Sequence, residues 1–234
     1  MPAPADMRFF LVRGTEDQRL SAFRKGVSQP ILRRKQTMSE EKKSNVKRPA
    51  RSSVSVRCLA EAAILVAMAQ VLSYIKLMEL PNGGSLTPAM FPIILFAIRW
   101  GWKPGLLAGF AFGLLQLIFD GAYAWGWQSM LLDYLVAFTP LGLAGLFKGK
   151  KWGIFAGTAL GCALRFAVHY ISGVTIYKIL APTELLGMTF TSPAFYSLVY
   201  NGSYMLPNTI LALVIAGVLY VPLKKYILAQ DLPH

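Results

Sequence analysis

Three ionisable side chains lie deep inside strongly apolar stretches of this sequence: Asp133, Arg165 and His169. Charge in such a stretch is costly, so each should face a partner, a cavity or a bound ligand. Asn201 occupies a comparable position in the last apolar stretch. Counted at about 1.5 Å per helical residue, Asp133 lies about 8 Å below one membrane face, and His169 and Asn201 about 12 Å below the same face. Arg165 lies one turn deeper than His169. A carboxylate, an imidazole and an amide from three segments therefore share one half-layer.

Aromatic residues surround them. Phe166, His169, Tyr170, Gly173 and Tyr177 share one helical face by i, i+3, i+4 spacing, where Gly173 is expected to open room. Tyr196, Tyr200, Asn201 and Tyr204 line the next segment, and Tyr123, Trp125 and Trp127 precede Asp133 in a connection. One carboxylate among many rings suits a cationic aromatic ligand. The carboxylate supplies a charge partner, and each well-placed ring adds about 0.5–2 kcal/mol of cation–π attraction. Other readings stay open on these residues alone. Tyr and Trp form belts at membrane interfaces as a matter of routine. Asp133 and Arg165 also suit a structural ion pair, and a lone His on an apolar face is often a hydrogen-bonded core residue. Agreement in depth argues for a site without naming its ligand.

The elements that must position these residues are membrane helices. Of the 234 residues 55% are apolar and 15% charged, with a mean hydropathy of +0.47; soluble domains carry about a quarter charged residues. Apolar runs of about 17–25 residues recur, the length that crosses a hydrocarbon core of about 30 Å. Breaks at Gly, Pro and charge clusters divide them into Arg57–Met78, Thr87–Ile98, Lys103–Phe119, Gln128–Phe147, Trp152–Tyr177 and Pro193–Lys224. The expected fold is an all-α integral membrane bundle of six transmembrane helices. Its second helix should be short, and Pro207 should kink its last. Alternate connections place Arg99, Lys103, Lys148, Lys150, Lys151, Lys224 and Lys225 on one side and only Lys76 and Lys178 on the other. The positive-inside rule then puts both termini in the cytoplasm.

Residues 1–56 form a basic arm ahead of the membrane domain 57–225, and 226–234 a short tail. The arm suits a disordered tail drawn to anionic lipid or, less well in the absence of aromatic interleaving, a nucleic-acid contact. Alternatively 1–37 is not translated, since Met38 opens a run, Met-Ser-Glu-Glu-Lys-Lys, that resembles an ordinary start. The apolar run Phe9 to Val12 is too short for a signal-peptide core. Cys58 and Cys162 are expected as buried free thiols. The sequence has no G-x-x-x-x-G-K-[ST] phosphate loop, no H-E-x-x-H and no G-x-S-x-G. Neither ATP hydrolysis nor other catalysis is expected of this chain, and no cofactor or metal. Ala63 and Ala67, beside Ala60, have the small-xxx-small spacing that lets another helix approach closely; an ordinary Ala-rich helix has it too.

The strings Leu-Leu-Asp-Tyr-Leu-Val-Ala-Phe (131–138), Leu-Arg-Phe-Ala-Val-His-Tyr-Ile-Ser-Gly (164–173) and Tyr-Ser-Leu-Val-Tyr-Asn-Gly-Ser-Tyr-Met-Leu-Pro (196–207) resemble the thiamine-specific S components of energy-coupling-factor transporters. Gly-Gly-Ser at 83–85 and Arg-Trp-Gly at 99–101 fit as well. The resemblance spans about 57–225. It implies a non-enzymatic subunit of a bacterial plasma membrane importer that captures thiamine from the outer face. Partners are then a transmembrane coupling subunit, docked on Ala63 and Ala67, and two ATPase subunits. Asp133 matches a position where the family often has Glu. Tyr123, Tyr134, His169, Gly173, Tyr196 and Asn201 match pocket positions, Tyr177 stands where some members have Trp, and Arg165 where some have Lys. Where some members carry a stacking Trp in the first outer loop, this chain has Asn82-Gly83-Gly84-Ser85. Another vitamin or the precursor hydroxymethylpyrimidine is the alternative ligand; a membrane enzyme or a structural membrane protein is the alternative class.

Overall fold

The computed structural model describes residues 55–80, 83–120, 126–180, 183–185 and 187–232. The basic arm, with Met38, lies outside them. The described residues are helical apart from two small hairpins and the turns that join the elements. Helix α1 spans Val56–Ser73 and is capped by Ser55, whose hydroxyl accepts from the Cys58 amide at 3.1 Å, satisfying one of the free donors of its first turn. Strands β1 (Met78–Glu79) and β2 (Ser85–Leu86) pair antiparallel. Helices α2 (Met90–Trp100), α3 (Trp102–Asp120), α4 (Trp127–Phe147), α5 (Gly153–Leu180) and α6 (Pro193–Tyr220) follow. Between the last two, strands β3 (Thr183–Leu185) and β4 (Met188–Phe190) pair antiparallel, and a final turn of helix, α7, spans Lys224–Ile227.

Five of these helices are long and apolar enough to cross a membrane, and α2 is a shorter apolar helix. The six apolar segments of the sequence are thus six helices. At 11 residues α2 is about 16 Å long. Its residues from Met90 to Arg99 are all buried, so α2 is a central stave wrapped by its longer neighbours. It stops because Gly101 adopts φ 101°, a backbone state that other residues rarely take.

Helix α4 changes its winding along its length. An initial α turn gives way to a π-helical stretch over Met130–Val136 and then to a 3-10 helix over Thr139–Phe147. Pro140 has no amide to donate, and its ring excludes the carbonyl four residues back, which favours a break from regular α winding at that point. The tighter 3-10 half is thin, and small residues make it thinner. A Cβ on Gly142 would lie 2.2 Å from the backbone of Gly105, and one on Gly145 2.4 Å from that of Gly101. Helix α3 meets α4 with Gly105, Gly109 and Gly113, spaced every fourth residue along one face, the last of them against Tyr134 in the π-helical stretch. Helix α5 repeats the spacing with Gly153, Gly157 and Gly161, where added Cβ atoms would press on Phe147, Ala144 and Leu141. Such small-residue stripes bring backbones together in lipid, where contact between helices rather than exclusion of water drives packing.

Arg99, counted from the sequence among the charges on the cytoplasmic side, is fully buried at the end of the bundle away from the first hairpin. Its Nε donates to Glu61 Oε2 at 2.6 Å, and one terminal nitrogen donates to Asp231 at 2.6 Å and to the Tyr226 carbonyl at 2.9 Å. The guanidinium carbon lies 3.8 Å from the centre of the Tyr226 ring. Arg57 bonds both Glu61 and Asp231, while Trp100 and the Tyr226 hydroxyl also donate to Glu61. A buried guanidinium is tolerable because its donors find acceptors in a fork it fits. The residues after 225 therefore fold back onto α1 and α2, with Ile227 buried. Hydrogen bonding to Arg99 holds the Asp231 carboxyl well below the usual carboxylate range. Burial, followed by the bond to Glu61, pushes the Tyr226 phenol up to about 12.

Candidate functional site

At the hairpin end, α3, α4, α5, α6 and the β1–β2 connection enclose a cavity of about 130 Å³. Its polar wall carries Asp133, Arg165, His169 and Asn201. Its rings are Phe112, Tyr134, Phe138, Tyr200 and Tyr204, and its mouth is bordered by Lys76, Asp120 and Gly83–Ser85.

Asp133 sits at the centre of the π-helical stretch. Single π turns interrupt the α register and recur at functional positions. Here the interruption brings the Asp133 carboxylate to α5. Ser129 donates its hydroxyl to Asp133 Oδ2 at 2.7 Å, and His169 Nδ1 lies 3.1 Å from Oδ1. On the far side of the imidazole, Arg165 Nε donates to His169 Nε2 at 3.3 Å. Arginine has only donors, so Nε2 is the acceptor and Nδ1 carries the proton given to Asp133. The neighbours thereby assign the tautomer. The Arg165 guanidinium lies 4.0 Å over the Phe138 ring, a cation–π contact that stabilises a charge held away from water. The ion pair considered between Asp133 and Arg165 is not direct: His169 stands between them.

Asn201 works on the backbone. Its amide donates to the His169 carbonyl at 3.2 Å and the Ser197 carbonyl at 3.0 Å, and its oxygen accepts from the Tyr204 hydroxyl at 2.9 Å. It fixes α6 against α5 at the level of the imidazole. Tyr204 also meets the His169 ring edge-on, with centroids 6.2 Å apart. Tyr134 borders the cavity, and its hydroxyl donates to the Asp120 carbonyl at 2.7 Å.

Two expectations are corrected by the geometry. Gly173 lines the cavity, but it opens no free space: a Cβ there would lie 2.3 Å from Ser197 Oγ. Its lack of a side chain lets α5 and α6 touch. Tyr196 is fully buried and does not line the cavity. It stacks on Tyr200 with centroids 5.8 Å apart and meets Phe190 edge-on, forming the backing of the Tyr200 wall. Tyr123 and the side chain of Tyr177 lie outside the described residues. Ala63 and Ala67 both lie on the exposed face of α1, with Leu59, Ile64 and Val71.

Asn208, Gln116 and Ser129 escaped the sequence reading, and Gly84 entered it only as part of the Gly-Gly-Ser string. Asn208 accepts from the Thr87 amide at 3.1 Å and donates to the Ser85 carbonyl at 2.7 Å, pinning the β1–β2 hairpin to α6. Gly84 donates its amide to Tyr200 Oη at 2.9 Å, and a Cβ there would lie 2.7 Å from the Tyr204 ring. The loop thus closes over the tyrosines by bringing bare backbone against them. Gln116 lines the cavity and bonds Gln70 of α1 at 2.9 Å. Ser129 orients Asp133. Gln116 and Asn208 are amides inside apolar segments, the same signal that singled out Asn201.

The family model for the thiamine transporter protein (Thia_YuaJ) matches residues 59–228. The chain belongs to this thiamine transporter family. It is 34% identical to the thiamine transporter ThiT of Bacillus subtilis strain 168 over 178 residues, covering 70% of this chain and 90% of that one. It is 33% identical to ThiT of Lacticaseibacillus paracasei over 192 residues, covering 74% and 91%. The solved structure of ThiT from Listeria monocytogenes superposes with a TM-score of 0.64 at 25% identity, covering 73% of this chain and 96% of the other. Membership in this family makes the protein a multi-pass bacterial membrane transporter component and not an enzyme.

Proposed function

We propose that this protein is the thiamine-binding membrane subunit of an ATP-driven importer of the energy-coupling-factor type. The observation that carries this reading is the hydrogen-bonded row Ser129–Asp133–His169–Arg165, held against a ring-walled cavity in a chain of the thiamine transporter family. Each member of the row fixes the next before any ligand arrives, so little ordering is left to oppose binding. Asp133 uses one lone pair on each oxygen within the row, which leaves acceptor capacity for a ligand amine. Tyr200, Tyr204 and Phe138 supply faces for a flat heterocycle. Both termini lie in the cytoplasm, so the cavity opens to the outside. The exposed small-residue face of α1, with Ala63 and Ala67, docks the transmembrane coupling subunit, and two ATPase subunits supply the energy.

Calorimetric titration of the detergent-purified protein tests the ligand. Thiamine should bind saturably, and Asp133→Asn should weaken it by more than tenfold, because a charge-assisted acceptor is lost at about 1.5–3 kcal/mol. Folded wild-type protein that ignores thiamine but binds hydroxymethylpyrimidine would replace thiamine with its precursor.

A further inference from the structure

The cavity carries two carboxylates, and their surroundings differ. Asp133 and Arg165 bond the same imidazole from its two edges, at 3.1 Å and 3.3 Å. Their opposite charges are separated by one ring, so the inner end of the cavity is electrically balanced. At the mouth, Lys76 is paired with Glu79 at 2.8 Å. Asp120 is different. It lines the cavity, is part-buried, and its carboxylate makes no hydrogen bond or ion pair among the described residues.

Its backbone position adds to its charge. Asp120 is the last residue of α3, where the unpaired carbonyls of the final turn leave a partial negative charge. The Asp120 carbonyl is itself fixed by the Tyr134 hydroxyl at 2.7 Å, and Tyr134 adjoins Asp133 in α4. One bond therefore ties the orientation of this helix end to the inner polar row. A carboxylate without a partner among the described residues, a negative helix end and a neighbouring phenol ring together make a subsite for a delocalised cation.

We infer that Asp120 is a second carboxylate, at the cavity mouth, that selects the positively charged ring of the ligand, while the balanced row around His169 takes an uncharged hydrogen-bonding ring. The inference rests on the thiamine reading, since thiamine joins a cationic thiazolium to a neutral aminopyrimidine. Charge at the mouth then acts on one half of the ligand only, and its removal has a signature that loss of folding does not share.

The test is calorimetric titration of wild type, Asp120→Asn and Asp120→Glu with two ligands: thiamine, and deazathiamine, in which a neutral thiophene replaces the thiazolium. Asp120→Asn should weaken thiamine about fivefold, the size of one part-exposed charge contact, and leave the neutral analogue within a factor of about two. Asp120→Glu, which keeps the charge, should restore most of the thiamine affinity. Unchanged thiamine affinity in Asp120→Asn overturns the inference. So does an equal loss for both ligands, which marks a structural role. Wild-type protein that binds thiamine while Asp120→Asn behaves identically refutes this assignment alone; wild-type protein that does not bind thiamine refutes the proposed function and this assignment with it.

Discussion

Gly113→Ala perturbs the site without touching it. Gly113 lies in the α3 stripe, and a Cβ there would stand 2.5 Å from the Tyr134 carbonyl oxygen and 3.3 Å from Phe138 Cβ, so α3 and α4 would have to part by about 1 Å to restore ordinary contact. The obstacle is backbone, which has no rotamer to turn aside. Tyr134 and its neighbour Asp133 move with that carbonyl. The bond from His169 Nδ1 to Asp133 is 3.1 Å long, so a displacement of that size takes it beyond hydrogen-bonding reach. Loss of one positioned, charge-assisted contact is worth about 1.5–3 kcal/mol, which is about 10- to 150-fold in affinity. Global stability should fall less, because overpacking at one helix contact costs about 1–3 kcal/mol against the whole bundle. The assay is thiamine titration alongside thermal unfolding by tryptophan fluorescence, with Gly202→Ala as control. A Cβ at Gly202 meets nothing within 4 Å, so both readouts should stay at wild-type values or rise slightly in stability. Wild-type affinity in Gly113→Ala, with an unchanged midpoint, would refute the claim that this contact positions the carboxylate.

Asn208→Ala removes two side-chain ties between α6 and the β1–β2 hairpin and its flank, leaving the one from the Gly84 amide to Tyr200. Thiamine should dissociate about tenfold faster while associating at a similar rate, since a loosened cover affects escape most; stopped-flow displacement measures this, and unchanged dissociation would show that the hairpin does not retain ligand. The Asp231–Arg99 contact sets an acid limit on stability. Because the folded carboxyl lies below its ordinary value of 3.8, its contribution is complete above about pH 4. It is then lost as pH falls through the depressed folded value. Scanning fluorimetry between pH 7 and pH 2 should show an acid-limb loss that is smaller in Asp231→Asn, and equal acid limbs in the two proteins would disprove the linkage.

The apolar segments and the depth argument were legible because both rest on length. Six runs became six helices, and residues placed in one layer by counting, Asp133, His169 and Asn201, are bonded through 3.1 Å and 3.2 Å contacts. Counting presumes regular winding, however. It gave no sign that α4 unwinds to π around Asp133 and tightens to 3-10 after Pro140, because neither state has a hydrophobic period of its own over so few residues. The burial of Arg99 was not legible for a related reason. Its acceptors, Glu61 and Asp231, lie 38 and 132 residues away, and no local pattern pairs them with it. Gly173 could be placed on the correct face but not given its role, since a missing side chain serves a cavity or a helix contact equally well until the opposing residue is known. The two glycine stripes were present in the sequence at every fourth position and carried a packing meaning that was not drawn from them.

Those stripes leave α3, α4 and α5 without slack. Backbone meets backbone at Gly105, Gly109, Gly113, Gly142, Gly145 and Gly153, so close that even one methyl group has no place there. A gate or a sliding channel needs loose joints between its walls, and this part of the molecule has none. Passage of cargo through it would mean prising three helices apart by several ångströms and exposing polar backbone to lipid on the way. Held this closely, α3, α4 and α5 form one tightly joined block behind the cavity wall that they share.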